Sequence, residues 1–175
     1  AQLVFDRQKS ACLNQPHIPY EERMALLKTV ENILLENDEQ ICEAISKDFG
    51  NRSVHETRIL EISTSIMGLR DTRKRLKKWM SAQRRHISIL FFGGKNRVIP
   101  QAKGVVGIIT PWNYPLFLSI GPLTCAIAAG NRVMIKQAAN SQNLCQLMDQ
   151  KFSEKICREK IAFLPGTEAS AFSSL

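Results

Sequence analysis

The chain has 175 residues, of which 44% are hydrophobic and 23% charged, enough to bury a real core in one ordinary domain and unlike a disordered segment. No N-terminal stretch has the order of a signal peptide, and the longest apolar run, Pro115 to Ala129, is too short for a membrane span, so a cytoplasmic location is the default expectation. The net charge of +8 is concentrated: Arg70 to Arg97 holds ten Lys/Arg and one acid, a local +9 that leaves the remainder at −1.

Pro19 precedes Met24, Leu27, Val30 and Leu34 at helical spacing, which predicts a helix from Tyr20 to about Glu36. After Asn37-Asp38, the residues Ile41, Ala44 and Ile45 predict a second short helix ending at "DFGNRS". Ser53 and Glu56 then form a capping-box signature. From there Ile59, Ile62, Ile66, Leu69, Leu76 and Met80 recur in steps of three and four, missing only Arg73, and predict one helix of about 27 residues, roughly 40 Å long. Beyond His86, the β-branched and aromatic "ISILFF", the turn "GGKN" and the returning "RVIPQ" predict a β-hairpin, with Pro100 at an edge or near a strand end.

A regular alternation follows. "GVVGIIT" has the continuous apolar character of a buried parallel strand. "PLFLSIGPLTCAIAAG" predicts a helix with Pro115 near its first turn, a kink at Pro122 and Gly130 past its end. "NRVMIK" is a second strand, "SQNLCQLMDQKFSEK" a second helix with Ser141 as its cap, and "IAFLPG" a third strand. The order strand, helix, strand, helix, strand means an α/β fold, here helices and a hairpin leading into a partial Rossmann-like, doubly wound parallel sheet. Three strands make only half of such a sheet, so the domain is expected to be truncated.

Ligands of open α/β sheets sit beyond the carboxyl ends of the strands, and these ends carry "TPWN", Lys136 with "QAAN", and "LPG". Neither a G-x-G-x-x-G turn nor a P-loop is present. Pro111 and Pro115 stiffen the first of these loops and present Asn113 on it, either to face a ligand or to close a turn. Five scattered cysteines without a C-x-x-C pair, and three dispersed histidines, argue against a disulfide framework or a zinc site, and no metal is expected. Cys125 lies among Leu, Thr, Ala and Ile and is expected to be a buried packing residue.

"GVVGIITPWNYPLFLSIGPLTCAIAAGNRVMIK", with P-W-N-x-P followed by A-x-x-A-G-N-x-V-x-x-K, resembles the N-terminal part of the cofactor domain in the aldehyde dehydrogenase superfamily. "LKKWM…RRHISILFF" is similar to its coniferyl aldehyde dehydrogenase branch, and the resemblance runs from the early helices to "LPGTEASAF". It implies an oxidoreductase that converts an aldehyde, aromatic or medium-chain aliphatic, to a carboxylic acid with NAD or NADP. Asn113 takes the catalytic place, its amide donating to the oxyanion formed when a cysteine attacks the carbonyl; one preorganised donor of this kind is worth roughly 3 kcal/mol. The backbone of Ile109, Thr110, Pro111 and Trp112 takes the adenosine side of the cofactor, Lys136 its ribose hydroxyls or a 2′-phosphate, and Gly166 a close approach of the adenine. Against these stand core packing for Trp112 and a solvated strand end for Lys136. The family often has K-P-S-E where this chain has "KQAA", so Ala139 stands in place of an acid and NAD is not favoured over NADP.

The resemblance divides the chain into a helical lead (1–86), an oligomerisation-type hairpin (87–103) and the first half of an NAD(P)-binding domain (104–175). The family's nucleophilic Cys, general-base Glu and pyrophosphate turn belong C-terminal to this region, so the chain alone is expected to be inactive. A homo-oligomer, or pairing with a complete subunit, is the expected assembly. Two alternatives remain: a non-catalytic interaction module derived from the same fold, and an anion-binding module built on "RDTRKRLKKWMSAQRR". A solvated helix face explains that basic stretch better than nucleic acid or membrane does, because only Trp79 interleaves as an aromatic.

Overall fold

The structure, a computed structural model, describes residues 1–165. It opens with a helix the apolar periodicity does not announce, α1 (Gln2–Asn14). Its anchor is polar: the buried Gln8 amide donates to the carbonyls of Val133 and Arg158 at 3.0 and 2.8 Å. α2 (Tyr20–Glu36) and α3 (Asp38–Asp48) follow as predicted, with Leu27, Val30, Leu34, Ile41 and Ile45 fully buried. Each such side chain contributes roughly 1.5–3 kcal/mol relative to exposure.

The long helix is present, running without a break as α4 (Val54–Glu56), a π-helical segment (Thr57–Ser63) and α5 (Thr64–Met80). Ser53 holds the N-cap position but makes no side-chain capping bond. The π segment shifts the register of the stripe, because each wider turn takes an extra residue. Ile59, expected in the core, is therefore 63% exposed, while Glu61 is buried with Ile62. Arg73, the gap in the pattern, reaches the buried Glu31 at 2.9 Å, where Arg70 also bonds at 2.7 Å. Part of the basic run thus neutralises an internal acid, and Arg75 pairs with Asp71 at 2.9 Å.

The hairpin forms with a different stem. Its strands are β1 (Gln83–Arg84) and β2 (Arg97–Val98), paired antiparallel with Arg84 opposite Arg97. The expected strand "ISILFF" is instead a loop with a 3₁₀ turn at Ile89–Phe91, where the Leu90 amide is 3.5 Å from the Ser88 hydroxyl. Gly93, at φ +87°, lets the loop turn back. Ile89, Leu90, Phe91 and Phe92 find no inner face to cover and are 70–95% exposed.

β3 (Val105–Ile109), β4 (Arg132–Lys136) and β5 (Ile161–Phe163) form a parallel sheet in that order, with Ile109 opposite Lys136. α6 (Phe117–Ala129) and α7 (Gln142–Lys155) are the crossovers. Side chains alternate across β4 and β5. Val133, Ile135, Ile161 and Phe163 pack with α2, α3, α5, α6 and α7, while Met134 and Ala162 meet Ala1, Val4 and Phe5 of the α1 region. β4, flanked on both sides, is buried as expected of a central parallel strand. β3 corrects that expectation for itself: it is an edge strand among the described residues, and Gly107 and Ile109 are exposed.

The apolar helix α6 also leaves one side uncovered. Ile120, Leu123, Thr124 and Ile127 face inward, whereas Pro122, Cys125 and Ala129 share the exposed stripe. Cys125 is therefore not the buried packing residue expected from its apolar neighbours. Among the described residues no helix is long and apolar enough to cross a membrane.

Candidate functional site

β3 ends at Ile109 beside the end of β4, and three hydrogen bonds knit the strand ends together. The Thr110 amide donates to the Lys136 carbonyl at 3.0 Å, the Leu164 amide to the Ile135 carbonyl at 2.9 Å, and the Asn140 side chain to the Trp112 carbonyl at 3.3 Å. This edge gathers Ile109, Thr110, Pro111, Trp112, Asn113 and Lys136. Gly166 lies outside the described residues.

The side chains here are offered outward. Ile109 is 66% and Trp112 69% exposed, so Trp112 is not a core residue. Thr110 is buried, with its hydroxyl 3.5 Å from the Lys136 carbonyl. Lys136 is partly exposed and has no ion-pair partner among the described residues. An exposed backbone turn beside an unpaired cation is a donor set suited to ribose hydroxyls or a phosphate.

Asn113 is half-buried, and its amide makes no hydrogen bond among the described residues, although the chain on its C-terminal side is firmly held. The Glu61 carboxylate accepts from the amides of Leu116 and Phe117 at 2.8 and 3.2 Å, filling the orphan donors at the start of α6. Arg52 donates to the other Glu61 oxygen at 3.2 Å, and its guanidinium lies 5.2 Å from the Tyr114 ring. From another side the buried Gln137 donates to the Ser119 hydroxyl at 2.9 Å and the Pro115 carbonyl at 3.4 Å. The Ser119 hydroxyl in turn donates to the Pro115 carbonyl. Burial pushes the Glu61 pKa up; the bonds from Phe117 and Leu116 and the charge of Arg52 only partly offset it.

Glu61, Arg52 and Gln137 are supports that reading the sequence misses. An acid inside a helical stripe reads as a solvated face, and the 55-residue separation of Glu61 from Leu116 leaves no local signal. Only Gln137, which stands where the resemblance places a proline, hints at a specific local role.

The family model described as "Aldehyde dehydrogenase family" matches residues 4–175. The chain is similar to a probable coniferyl aldehyde dehydrogenase of Pseudomonas aeruginosa, 41% identical over 165 residues that cover 94% of this chain and 35% of the relative. It is equally similar, at 41% over 155 residues, to the coniferyl aldehyde dehydrogenase of Pseudomonas sp. strain HR199, covering 86% of this chain and 32% of that protein. Among solved structures, the substrate-bound AldH of Staphylococcus aureus superposes with a TM-score of 0.92 at 25% identity, over 99% of this chain and 38% of that one. An NAD-dependent benzaldehyde dehydrogenase from Corynebacterium glutamicum does so with 0.79 at 28%, over 96% and 36%. The chain spans about a third of the length of the curated relatives it matches.

Proposed function

Since the chain belongs to the aldehyde dehydrogenase family, we propose that it forms the N-terminal part of an oxidoreductase that oxidises an aldehyde to a carboxylic acid with NAD(P)+. The observation that carries this reading is Asn113: a half-buried amide with no partner among the described residues, on a loop whose following backbone is tied down. Such a donor is already oriented before charge develops, so it stabilises an oxyanion without the cost of reorganising. Its N–H groups donate to the oxygen that becomes negative when a nucleophile adds to the aldehyde carbonyl. The backbone of residues 109–112 and the Lys136 ammonium hold the adenosine portion of the cofactor. NAD(P)+ supplies the hydride acceptor when bound. Relatives named for coniferyl aldehyde and a structural neighbour named for benzaldehyde support an aromatic substrate. The same reading sets the enzyme in the cytoplasm and leaves the 175 residues alone without turnover.

The test is aldehyde-dependent reduction of NAD+ and NADP+ by the longest product of the reading frame, with coniferyl aldehyde and benzaldehyde as probes. Activity is expected, and Asn113→Ala should lower kcat by about 10²–10³, as loss of one oxyanion donor does. Normal kcat in that variant would overturn the assignment, and turnover by the 175 residues alone would overturn the inactivity.

The domain division proposed is 1–86, 87–103 and 104–175, with the hairpin as an oligomerisation element. The exposed Ile89, Leu90, Phe91 and Phe92 favour a subunit contact over a free surface. A monomer in sizing chromatography at all concentrations would count against it.

A further inference from the structure

We propose that Glu61 is a positioning residue for Asn113, its carboxylate holding the first amides of α6 and so fixing the loop from which the Asn113 amide projects. The proposal rests on the oxyanion role given to Asn113 above. It concerns a residue 52 positions earlier in the chain, on a different element.

The geometry is that of a clamp. Glu61 is fully buried, and both oxygens are used: one by the amides of Leu116 and Phe117, the other by Arg52. Arg52 is itself fixed, its guanidinium 3.8 Å from the Phe49 ring and 5.2 Å from that of Tyr114, the residue next to Asn113. Gln137 grips the Pro115 carbonyl. Residues 114–117 are therefore contacted from the long helix, from Arg52 and from the β4–α7 connection, while the side chain of Asn113 is left without a bond among the described residues. Pro115, between Asn113 and Leu116, has its φ fixed by its ring and so leaves one torsion fewer to absorb a shift of Leu116 before it reaches Asn113.

A carboxylate is a costly way to cap a buried helix start, because an ion loses its hydration there, and replacing buried ions by neutral groups is often neutral or stabilising for a fold. What an ionised carboxylate provides is an acceptor on every side, able to take two amides and a guanidinium at once. Glutamine keeps the shape but presents an NH2 where an acceptor is needed. The π-helical segment that contains Glu61 is what turns it inward at the expense of Ile59.

The test separates a positioning role from a structural one. In Glu61→Gln the protein should remain folded, with amide hydrogen exchange at Leu116 and Phe117 at least about tenfold faster and other core amides unchanged. With coniferyl aldehyde as probe, kcat should fall about tenfold while KM for the aldehyde stays within about twofold. In an Asn113→Ala background the same substitution should change kcat by less than about twofold, because nothing remains to be positioned. Glu61→Asp, which keeps the charge on a shorter arm, should restore part of the protection at Leu116 and Phe117. Unchanged exchange at these amides in Glu61→Gln, or an undiminished loss of kcat in the Asn113→Ala background, overturns the proposal. Should Glu61→Gln not fold, the unsubstituted protein decides. Among the described residues Arg52 is the charged group facing Glu61, with Glu56 3.9 Å from Arg52. As Glu61 takes up its proton, the NMR shifts of the Leu116 and Phe117 amides and of the Asn113 side-chain amide should move with one midpoint; separate midpoints overturn the coupling. A complete lack of aldehyde oxidation by the unsubstituted enzyme defeats the role of Asn113 and with it the catalytic link, and the exchange measurement, which needs no substrate, tells that failure apart from a failure of the clamp.

Discussion

The guanidinium of Arg23 occupies the space that a side chain on Gly130 would enter. A Cβ placed on Gly130 would lie 2.6 Å from both Cζ and Nη2 of Arg23, at a backbone φ of +86°. The two residues close the end of α6 together: Gly130 takes the left-handed turn, and Arg23 donates to the Ala128 carbonyl at 2.8 Å and to the Ile18 carbonyl at 2.8 Å. Asn131 follows at once and accepts from the amides of Lys103 and Gly104, setting the entry to β3. The A-G-N motif is thus a joint between helix, sheet and α2.

Gly130→Ala should therefore destabilise the fold by about 2–4 kcal/mol, combining left-handed strain with displacement of a buried cation. Urea unfolding checks the magnitude. Arg23→Ala costs stability by itself but removes the clash, so the two losses should sum to more than the double variant shows. Strict additivity would mean the two side chains do not compete for one space.

Asp48 caps a helix to which it does not belong. At the end of α3, its carboxylate accepts from the amides of Asn143 and Leu144, both at 3.0 Å, and from the Asn143 side chain at 2.7 Å. Ser141, the residue the sequence nominates as cap, sits at the N-cap position without a side-chain capping bond. Asp48→Ala should cost about 1 kcal/mol, the usual value of a lost cap, and Ser141→Ala clearly less. The two urea midpoints give the comparison directly. Equal losses would return the capping role to Ser141.

These cases mark where the sequence is readable. α2, α6, α7 and the three parallel strands follow from apolar period and turn residues, which are local quantities, and the structure has them at the expected places. Topology alone also nominates the strand-end loops as the candidate site, since ligands of open α/β sheets sit beyond the carboxyl ends of the strands. α1 is not legible, because its apolar contacts stop at Val4 and Phe5 and the next inward position is the polar Gln8. β propensity points to "ISILFF" as the first hairpin strand, but that propensity describes a packed surface and the segment has none here, so the strand forms at Gln83–Arg84. Glu61 and Asp48 act across 55 and 95 residues, and an acid carries no sign of which distant amide it will meet.

The pH dependence of stability follows from two buried acids of opposite sign. Burial raises the pKa of Glu61 in the folded state, so its contribution is full below the pKa of the unfolded chain and is lost as pH rises through the folded value. Burial also acts to raise Glu31, but bonds from Arg70 and Lys28 and the charge of Arg73 outweigh it and hold that carboxyl low. The Glu31 contribution is present above the unfolded pKa and is lost as pH falls through the folded one. Glu61→Gln removes only the first dependence. Its stability relative to the unsubstituted protein should rise as pH goes from acid to neutral, which urea midpoints across that range would reveal. A difference independent of pH would show that Glu61 has the same proton affinity folded and unfolded.

Ala139 makes the last outcome specific to this chain. It is exposed, three positions beyond Lys136, where the resemblance places an acid that would meet the ribose 2′-hydroxyl. If Lys136 lies at the adenosine ribose as proposed, a 2′-phosphate there would meet its cation and no opposing carboxylate, so NADP+ should be used within about tenfold of NAD+. Ala139→Glu restores a negative charge beside a dianionic group; at a few ångströms in partly exposed surroundings the repulsion is on the order of 1–2 kcal/mol. Binding of 2′,5′-ADP should then weaken about tenfold or more, with ADP little changed, and titration of these two nucleotides reads this without any catalytic step. If the substitution weakened both equally, the charge at residue 139 would not face the ribose, and the adenosine end of the cofactor would have to lie elsewhere on the sheet edge.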